Sequence, residues 1–265
     1  MIKHITSGEN SMLKKVSRLL QKKHRDAEAE FVAEGINSVK EAIINGADIT
    51  FAVVREGFSK AGTENAQLLL ELEEKVGTIV EVPDKLFDKL ASSETPQGIL
   101  VTIAKKIYSK DEFFTEGNFV VLDRLQDPGN IGTIIRTADA AGYKGAIIIK
   151  GTADIYSPKV VRAAAGSLFR LPVLFSDSPE NATALLRTAG KRIVCTTPHT
   201  RNFYYDVDLT QDVAVVIGNE AGGACGFFIE NADIAVKIPM QGTIESLNAA
   251  IAAGIIMYES VRQKA

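Results

Sequence analysis

The stretch VAVVIGNEAGGACGFFIENADIAVKIPMQGTIESLNAAIAAGIIMYE, from Val213 to Glu259, decides the fold. Two apolar runs in it each end in a polar loop that contains glycine. Val213–Gly218 leads into Asn219–Gly223, and Ile234–Pro239 leads into Met240–Glu245. Open α/β sheets bind ligands beyond the carboxyl ends of their strands. The stretch therefore predicts two strands whose loops form a ligand site.

Upstream of this stretch, runs rich in Val and Ile alternate with helical patterns. The runs cover residues 119–123, 145–150, 171–175 and 192–197, and the helical patterns cover 131–141, 157–169, 179–189 and, near the end of the chain, 247–262. Near-continuous apolar strands that alternate with helices are typical of a parallel sheet covered on both faces. Residues 117–265 are therefore predicted to form one α/β domain with a mostly parallel sheet.

Residues 1–107 are predicted to form a separate, smaller αβ domain. Helical patterns cover 11–23, 37–45, 63–75 and 84–91, and extended segments begin at Phe31 and cover 49–56, 77–82 and 98–104. Strand and helix alternate throughout, as in a compact αβ fold. The polar stretch 108–116 has no periodicity and is interpreted as the linker between the two domains.

Composition excludes several classes of protein. No run approaches ~20 uninterrupted apolar residues, so no membrane-spanning helix is expected. The first residues lack the apolar segment of a signal peptide. The two cysteines, Cys195 and Cys225, indicate neither a disulfide framework nor a metal site. A cytoplasmic protein without a metal is therefore predicted.

The charge is distributed unevenly along the chain. Residues 1–25 hold seven Lys and Arg residues against one acid, Glu9, whereas the whole chain has a net charge of −3. A basic terminal helix beside an acidic body is a candidate for contact with phosphates. The residues predicted to make this contact are Lys14, Lys15, Arg18, Lys22, Lys23 and Arg25. A solvated amphipathic helix is the alternative, and the two interpretations are compatible.

Polar residues near the predicted strand ends are candidates for chemistry. In the segment Asp127–Gly142, Asn130 can cap a helix, and Arg136 lies about one and two-thirds turns further on. An arginine near a helix start and a strand end can meet an anion or a developing negative charge. Glu220 opens the first glycine loop, where it can hold a substrate hydroxyl, a ribose or Arg136.

Each candidate also has an ordinary structural explanation. Arg136 can pair with Asp139 on the helix surface, and Glu220 can be a solvated turn residue. Ser246 is a good N-cap for the last helix, whereas Asn248 is less expected there. His199 follows a strand end and can line the site, although a surface position is the simpler interpretation.

Other chemistries are excluded by motif. The sequence contains no G-x-x-x-x-G-K-[ST] phosphate loop and no G-x-S-x-G nucleophile turn. It also has no G-x-G-x-x-G after a strand, which makes a dinucleotide-dependent dehydrogenase a poor interpretation.

In combination, three segments resemble a known family. NIGTIIRTADAAG (Asn130–Gly142), VIGNEAGGA (Val216–Ala224) and IPMQGTIESLNAAIAAGIIMYE (Ile238–Glu259) are similar to the three ordered motifs of the SpoU/TrmH family. These proteins are RNA ribose 2′-O-methyltransferases of the SPOUT superfamily. FVAEGINSVKEAI (Phe31–Ile43) and TPQGILVTI (Thr95–Ile103) resemble the accessory substrate-binding domain of that family, which is related to ribosomal RNA-binding proteins.

The resemblance implies a fold, a cofactor and a set of site residues. The parallel-sheet domain would carry a deep C-terminal trefoil knot, bind S-adenosylmethionine and form a homodimer. The implied catalytic residues are Asn130, Arg136, Glu220, Ser246 and Asn248. The implied cofactor-binding residues are Thr196, Thr197, Ile217, Gly218, Ile238, Met240 and Leu247.

The predicted function is methylation of a ribose 2′-hydroxyl in RNA, with 23S ribosomal RNA favoured because of the separate N-terminal domain. Methylation of tRNA and a non-catalytic role in RNA binding or ribosome assembly are the alternatives. Arginine holds its proton, so we expect Arg136 to stabilise the developing alkoxide rather than to act as a base. Water or Glu220 would then accept the proton.

Overall fold

The computed structural model describes residues 2–243 and 246–265, which fold into two compact units. Unit 1 comprises Met1–Lys106 and Asp154–Phe169, and unit 2 comprises Ile107–Ala153 and Arg170–Ala265. The chain therefore leaves unit 2 after Ala153 and returns to it at Arg170. The segment between these points was predicted from the sequence as part of the second domain.

Unit 1 is a mixed sheet with helices. Its elements up to residue 106 are β1 (Ile2–His4), α1 (Ser11–Leu19), α2 (Lys22–Glu28), β2 (Glu30–Glu34), α3 (Ile36–Ile44), β3 (Ile49–Arg55), α4 (Thr63–Lys75), β4 (Ile79–Val82), α5 (Asp84–Leu90) and β5 (Ile99–Ala104). The strand order is β1-β4-β3-β5-β2. Strand β4 pairs in parallel with β1 and β3, whereas β5 pairs antiparallel with β2 and β3. The predicted αβ fold of this region is confirmed.

The first predicted helix is divided in two. Helix α1 buries Leu13, Val16 and Leu19 against the core of unit 1, as the helical spacing of these residues predicted. The backbone of Gln21 is extended (φ −105°, ψ 135°), which ends one helix and begins α2. The prediction of one continuous helix over 11–23 was therefore wrong.

Unit 2 contains a parallel sheet of six strands. Its elements are α6 (Lys110–Phe113), β6 (Phe119–Leu122), α7 (Pro128–Ala140), β7 (Gly145–Ile149), β8 (Val173–Ser176), α9 (Pro179–Thr188), β9 (Arg192–Thr196), β10 (Val213–Ile217), α10 (Gly226–Asn231), β11 (Ile234–Val236) and α11 (Ala249–Arg262). All five strand pairings are parallel. The parallel α/β fold predicted from the Val- and Ile-rich runs is confirmed.

The strand order of unit 2 creates a natural ligand site. The order is β11-β9-β10-β6-β7-β8. From β6 the chain builds outward through β7 and β8, and it then crosses to the other side of β6. Strands β6 and β10 are neighbours at the point where the direction reverses. Ligands bind outside the carboxyl ends of strands at such a point.

Two segments differ from the sequence prediction. Within the predicted linker, residues 110–113 form α6, and Phe113 is fully buried in the core of unit 2. The helix predicted over 157–169 ends early: α8 covers Pro158–Ala163 in unit 1, and a short 3₁₀ helix follows at Ser167–Phe169. Ala165 and Gly166 have positive φ angles of 46° and 87°, which an α-helix does not allow.

Among the described residues, no helix is long and apolar enough to cross a membrane.

Candidate active site

A hydrogen-bonded cluster lies at the carboxyl ends of β6 and β10. Glu220 Oε1 accepts a hydrogen bond from Asn130 Nδ2 at 3.0 Å. Asn248 Nδ2 in turn donates to Asn130 Oδ1 at 2.8 Å. Glu220 follows β10, Asn130 lies on α7 after β6, and Asn248 precedes α11. The cluster therefore joins three segments that are up to 118 residues apart in the chain.

Asn130 is free for this contact because another residue caps its helix. The Asp127 carboxylate accepts from the backbone N–H of Asn130 at 2.8 Å, and Pro128 occupies the first turn, where its missing N–H costs nothing. The prediction that Asn130 caps α7 was therefore wrong. Its side chain instead links Glu220 to Asn248, and the two contacts fix which end of the amide is the donor.

Asn248, rather than Ser246, caps the last helix. Asn248 Oδ1 accepts from the backbone N–H groups of Ala250 at 2.9 Å and Ile251 at 3.3 Å. Ser246 is exposed and precedes the cap, which corrects its predicted capping role. Since Asn248 uses its oxygen in the cap and its nitrogen toward Asn130, its conformation is fixed from both sides.

Glu220 is held by backbone as well as side-chain donors. Its carboxylate also accepts from the backbone N–H groups of Gln126 at 3.3 Å and Asp127 at 3.4 Å. Partial burial raises the pKa of Glu220, but the hydrogen bonds from Asn130, Gln126 and Asp127 outweigh it and lower the pKa below its ordinary value of 4.5. Glu220 is therefore ionised at neutral pH and is a weak proton acceptor.

Arg136 lies exposed on α7, and no ion-pair partner holds it within the described residues. Asp139, the partner in the alternative interpretation, bonds to Arg170 Nε at 2.9 Å instead. Helix α11 packs against the same helix, where the nearest atom to a Cβ at Gly254 would be Thr137 Cγ2 at 3.8 Å. The small residue Gly254 of α11 thus packs close to α7 within unit 2, and the Arg136 side chain stays exposed.

The glycine loop after β10 is folded tightly. Asn219 and Gly223 exchange two backbone hydrogen bonds of 3.0 and 2.8 Å. A Cβ at Gly218 would lie 1.9 Å from the backbone nitrogen of Ala224. No side chain fits there, so Gly218 is required by the return of its own loop. This explanation accounts for the glycine without a ligand.

Several residues that position the loops were not identified from the sequence. Asp123, fully buried at the end of β6, accepts from Cys225 N at 2.6 Å and from Arg124 Nε at 2.9 Å. Asn219 Nδ2 donates to the carbonyl of Arg124 at 2.7 Å. These contacts tie the loop after β6 to the loop after β10. An acidic residue at the end of the fully apolar run FVVL was the available signal.

The residues predicted to bind the cofactor occupy the ends of three adjacent strands. Thr196 ends β9 and its hydroxyl donates to the carbonyl of Val216 at 2.9 Å, and Ile217 ends β10. Thr197 is buried, whereas Ile238 is half-buried just beyond β11. Met240 and Leu247 are each 37% exposed. The loop predicted from Met240 to Glu245 is described as far as Thr243, and its last two residues lie outside the described residues.

The predicted RNA-binding segment is only partly free. Arg25 is 4% exposed, bonds to Asp154 Oδ2 at 2.5 and 2.8 Å, and donates to the carbonyl of Leu19 at 2.6 Å. It is a structural residue of unit 1, which removes it from the predicted RNA contacts. Lys14 pairs with Glu9 at 2.5 Å, and Lys15 pairs with Glu30 at 2.7 Å.

The other three predicted contacts, Arg18, Lys22 and Lys23, are exposed. His199 is exposed too, and its backbone N–H donates to the Thr197 hydroxyl at 3.3 Å. Across residues 2–243 and 246–265, no group of three His, Cys, Asp or Glu side chains is arranged to hold a metal ion.

Comparison with known proteins gives a consistent result for both parts of the chain. Residues 117–258 match the SpoU rRNA methylase family, and residues 10–101 match the MRM3-like substrate-binding domain. The 23S rRNA (guanosine(2553)-2′-O)-methyltransferase RlmP of Bacillus subtilis is 30% identical over 97% of this chain and 98% of its own length. The 23S rRNA (uridine(2479)-2′-O)-methyltransferase of Streptomyces viridochromogenes is 33% identical over 99% of this chain and 93% of its own length.

Solved structures agree with this result. The crystal structure of an AdoMet-bound rRNA methyltransferase from Sinorhizobium meliloti is 34% identical and superimposes with a TM-score of 0.87, covering 99% of this chain and 98% of that one. The match extends over both units, and the resemblance of the three sequence motifs is confirmed. The chain belongs to the SpoU rRNA methylase family.

Proposed function

We propose that this protein methylates a ribose 2′-hydroxyl of ribosomal RNA with S-adenosylmethionine as the methyl donor. The observation that carries the proposal is the Glu220–Asn130–Asn248 cluster, whose Asn130 lies on the same helix as Arg136. Arg136 is exposed on that helix and has no ion-pair partner among the described residues. Family membership and the rRNA 2′-O-methyltransferases among the similar proteins support the substrate class. Those two relatives act on a guanosine and a uridine, so the proposal concerns the ribose and not the base.

The strand ends of unit 2 fit the cofactor. S-adenosylmethionine supplies an activated methyl group when it is bound. Met240 and Leu247 leave apolar surface open beside the ends of β9, β10 and β11, where an adenine ring can be covered. Thr196, Thr197, Ile217, Gly218 and Ile238 would supply backbone groups and the remaining walls.

Arg136 has the electrostatic role in this proposal. Attack by the 2′-oxygen develops negative charge on that atom, and a fixed guanidinium beside it stabilises the charge. Arginine keeps its proton at neutral pH and cannot remove one from the hydroxyl. Because Glu220 has a lowered pKa, we assign the hydroxyl proton to water and assign Glu220 a positioning role.

The cluster positions the groups that act. Glu220 orients the amide of Asn130, which orients Asn248, which caps α11. The starts of α7 and α11 and the loop after β10 are thereby held in one arrangement. Ser246, exposed and two residues before the cap, is left to contact the substrate or the cofactor.

The activity is tested by methyl transfer from labelled S-adenosylmethionine to rRNA isolated from cells that lack this protein. Label in rRNA and a mapped 2′-O-methyl group are expected, with no label in tRNA. Label in tRNA alone would move the substrate to the tRNA alternative. Calorimetric titration with S-adenosylmethionine tests the non-catalytic alternative, which predicts no heat.

We also propose that the exposed residues of the basic segment, Arg18, Lys22 and Lys23, contact RNA phosphates. Each phosphate contact contributes about −0.7 to the slope of log affinity against log salt for single strands. Replacement of all three by Gln should therefore reduce the slope by roughly 2. Replacement of Lys14, Lys15 and Arg25 is not an equivalent test, because these residues already bind acidic partners.

The remaining proposals concern assembly. A homodimer would cover the apolar side chains on α11, where Ile251 is 56% and Tyr258 is 50% exposed. Ile251→Asp should then shift the mass measured by light scattering from dimer to monomer.

We further propose that the C-terminal segment forms a trefoil knot and that the chain has two domains, 1–107 and 117–265, joined by residues 108–116. We also propose a cytoplasmic location, as expected for a protein that acts on rRNA.

A further inference from the structure

Unit 1 contains a polar cleft that the proposed mechanism does not use. Its volume is about 290 Å³, near the lower end of the ~300–1,000 Å³ typical of ligand pockets. The lining residues come from β2, the start of α3, the loop before β5 and α8. They are Glu34, Gly35, Asn37, Ser38, Ser93, Thr95, Gln97 and Arg162. No aromatic or large apolar side chain is among them, so the cleft suits a polar ligand.

The positive charge of the cleft comes from a distant part of the sequence. Arg162 lies on α8, within the segment Asp154–Phe169 that belongs to unit 1. Its Nη1 donates to Ser92 Oγ at 2.6 Å, and Ser92 Oγ donates to Glu34 Oε2 at 2.6 Å. The guanidinium is half-buried, and this is the single hydrogen bond that the described contacts give it. Because arginine has five N–H donors, most of them remain for a ligand.

Glu34 is the one acidic residue of the cleft lining, and serine donors occupy its oxygens. It is 7% exposed, and its oxygens accept from Ser92 N at 2.7 Å, from Ser92 Oγ and from Ser93 Oγ. The carboxylate thus serves as the buried anchor of the chain Arg162–Ser92–Glu34. A guanidinium fixed in this way loses little conformational freedom when it binds an anion.

The opposite wall supplies further donors. Ile36 N donates to Gln97 Oε1 at 2.8 Å, and the N-cap residue of α3 is Gly35, which has no side chain to cap the other N–H groups of the first turn. The N–H groups of Asn37 and Ser38 therefore lie in an uncapped first turn beside the cleft. Gly35 has φ +98°, and a Cβ on it would come within 2.9 Å of Gln97 Oε1, so this wall depends on glycine. The hydroxyls of Ser38 and Thr95 complete the lining.

We propose that this cleft binds a phosphate of the substrate RNA, with Arg162 as the cation. A phosphodiester matches a guanidinium, backbone N–H groups and hydroxyls, and it needs no apolar wall. The inference rests on the proposed function, since RNA is the substrate there. It adds that a residue encoded between β7 and β8 of unit 2 completes an RNA site of unit 1. Segment Asp154–Phe169 therefore has a binding role as well as a structural one.

The test compares Arg162→Gln with Lys159→Gln in the full-length protein. Lys159 lies on the same helix and is exposed, and it does not line the cleft. With a fluorescein-labelled RNA oligonucleotide of mixed sequence, Arg162→Gln should weaken binding about tenfold and reduce the salt slope by about 0.7. Lys159→Gln should change both much less. Equal effects of the two variants, or wild-type binding by Arg162→Gln, would overturn the proposal.

A second variant, Asn37→Asp, tests the cleft even if Arg162→Gln fails to fold. Asn37→Asp places a carboxylate in the cleft without touching the Arg162–Ser92–Glu34 chain, and an acid in the first turn of a helix favours folding. It should weaken RNA binding, with a thermal midpoint at or slightly above that of the wild type. Unchanged RNA binding by Asn37→Asp would count against the cleft.

Titration with S-adenosylmethionine separates this proposal from the function itself. All variants should bind S-adenosylmethionine as the wild type does. A wild-type protein that binds S-adenosylmethionine but no RNA would overturn both the cleft and the proposed substrate. A wild-type protein that binds and methylates RNA, together with Arg162→Gln that does the same, would overturn the cleft alone.

Discussion

Two glutamates, Glu34 in unit 1 and Glu220 in unit 2, each accept hydrogen bonds from backbone and side-chain donors, but in different surroundings. Glu34 is buried, and its partners lead to a cation, Arg162. Glu220 is exposed, and its partners are the neutral amides of Asn130 and, beyond it, Asn248. Removing a buried carboxylate leaves its hydrogen-bond donors without an acceptor, whereas water can take the place of an exposed carboxylate. The first cluster should therefore affect stability most, and the second should affect catalysis most.

The largest effect is expected from Arg136, the cation that lies on the same helix as Asn130 of the Glu220 cluster. Arg136→Ala should lower kcat by about 10²–10³, as removal of a preorganised donor at a developing oxyanion does. Its affinity for S-adenosylmethionine should stay close to that of the wild type, because the assigned role concerns the 2′-oxygen. Single-turnover methyl transfer and calorimetry measure the two quantities.

Arg136→Lys is the matched control for charge. It should retain part of the activity, since a point charge replaces the planar donor. If Arg136→Ala loses cofactor binding, the electrostatic assignment is wrong and Arg136 belongs to the cofactor site.

The next largest effect is on the free energy of unfolding, and it distinguishes Glu34 from Glu220 directly. Glu34→Ala leaves the donors of Ser92 and Ser93 without their buried acceptor and should lower the free energy of unfolding by about 3 kcal/mol. Glu220→Ala should lower it by less than about 1 kcal/mol, since its surroundings are solvated. Urea unfolding of the full-length protein measures both. Similar losses of unfolding free energy in the two variants would show that the two clusters do not differ in their contribution to stability.

The sequence was informative where topology brings residues together and weak where distant charges pair. Asn130, Glu220 and Asn248 converge because parallel strands end at the same edge of a sheet, and the apolar runs predicted that sheet. Arg25 was counted among the RNA contacts, yet Asp154, which is 129 residues away, takes its guanidinium. The spacing of residues within a short segment does not indicate a partner so far away in the sequence.

The same limit applies to the helix caps. Asp127 and Asn248 cap their helices, although Asn130 and Ser246 are suitable residue types at neighbouring positions. Cap propensities differ by only tenths of a kcal/mol among Ser, Asp and Asn, so tertiary contacts decide which one is used. Asn130 is an example, because its side chain is hydrogen-bonded to Glu220 and Asn248 and does not cap α7.

A smaller effect tests whether the exposed cluster acts as one unit. Asn130→Ala and Asn248→Ala should each reduce kcat by about tenfold, because each breaks the link between α7 and α11. The double variant should be little worse than either single one, since the link is already broken. The double-mutant cycle is measured by methyl transfer under saturating S-adenosylmethionine. Additive losses would show that the two amides act independently.

The smallest effect concerns the pH dependence that Glu220 gives to stability. Its pKa is lowered in the folded protein by the donors of Asn130, Gln126 and Asp127, against the opposing effect of partial burial. A depressed pKa contributes stability that is present above the ordinary value of 4.5 and is lost as pH falls through the folded value. The difference in unfolding free energy between wild type and Glu220→Gln should thus be constant above pH 5 and shrink below about pH 4.5, by well under 1 kcal/mol for so exposed a group. If the difference instead grows as the pH falls, the pKa of Glu220 is raised, and Glu220 rather than water becomes the better candidate for the proton acceptor.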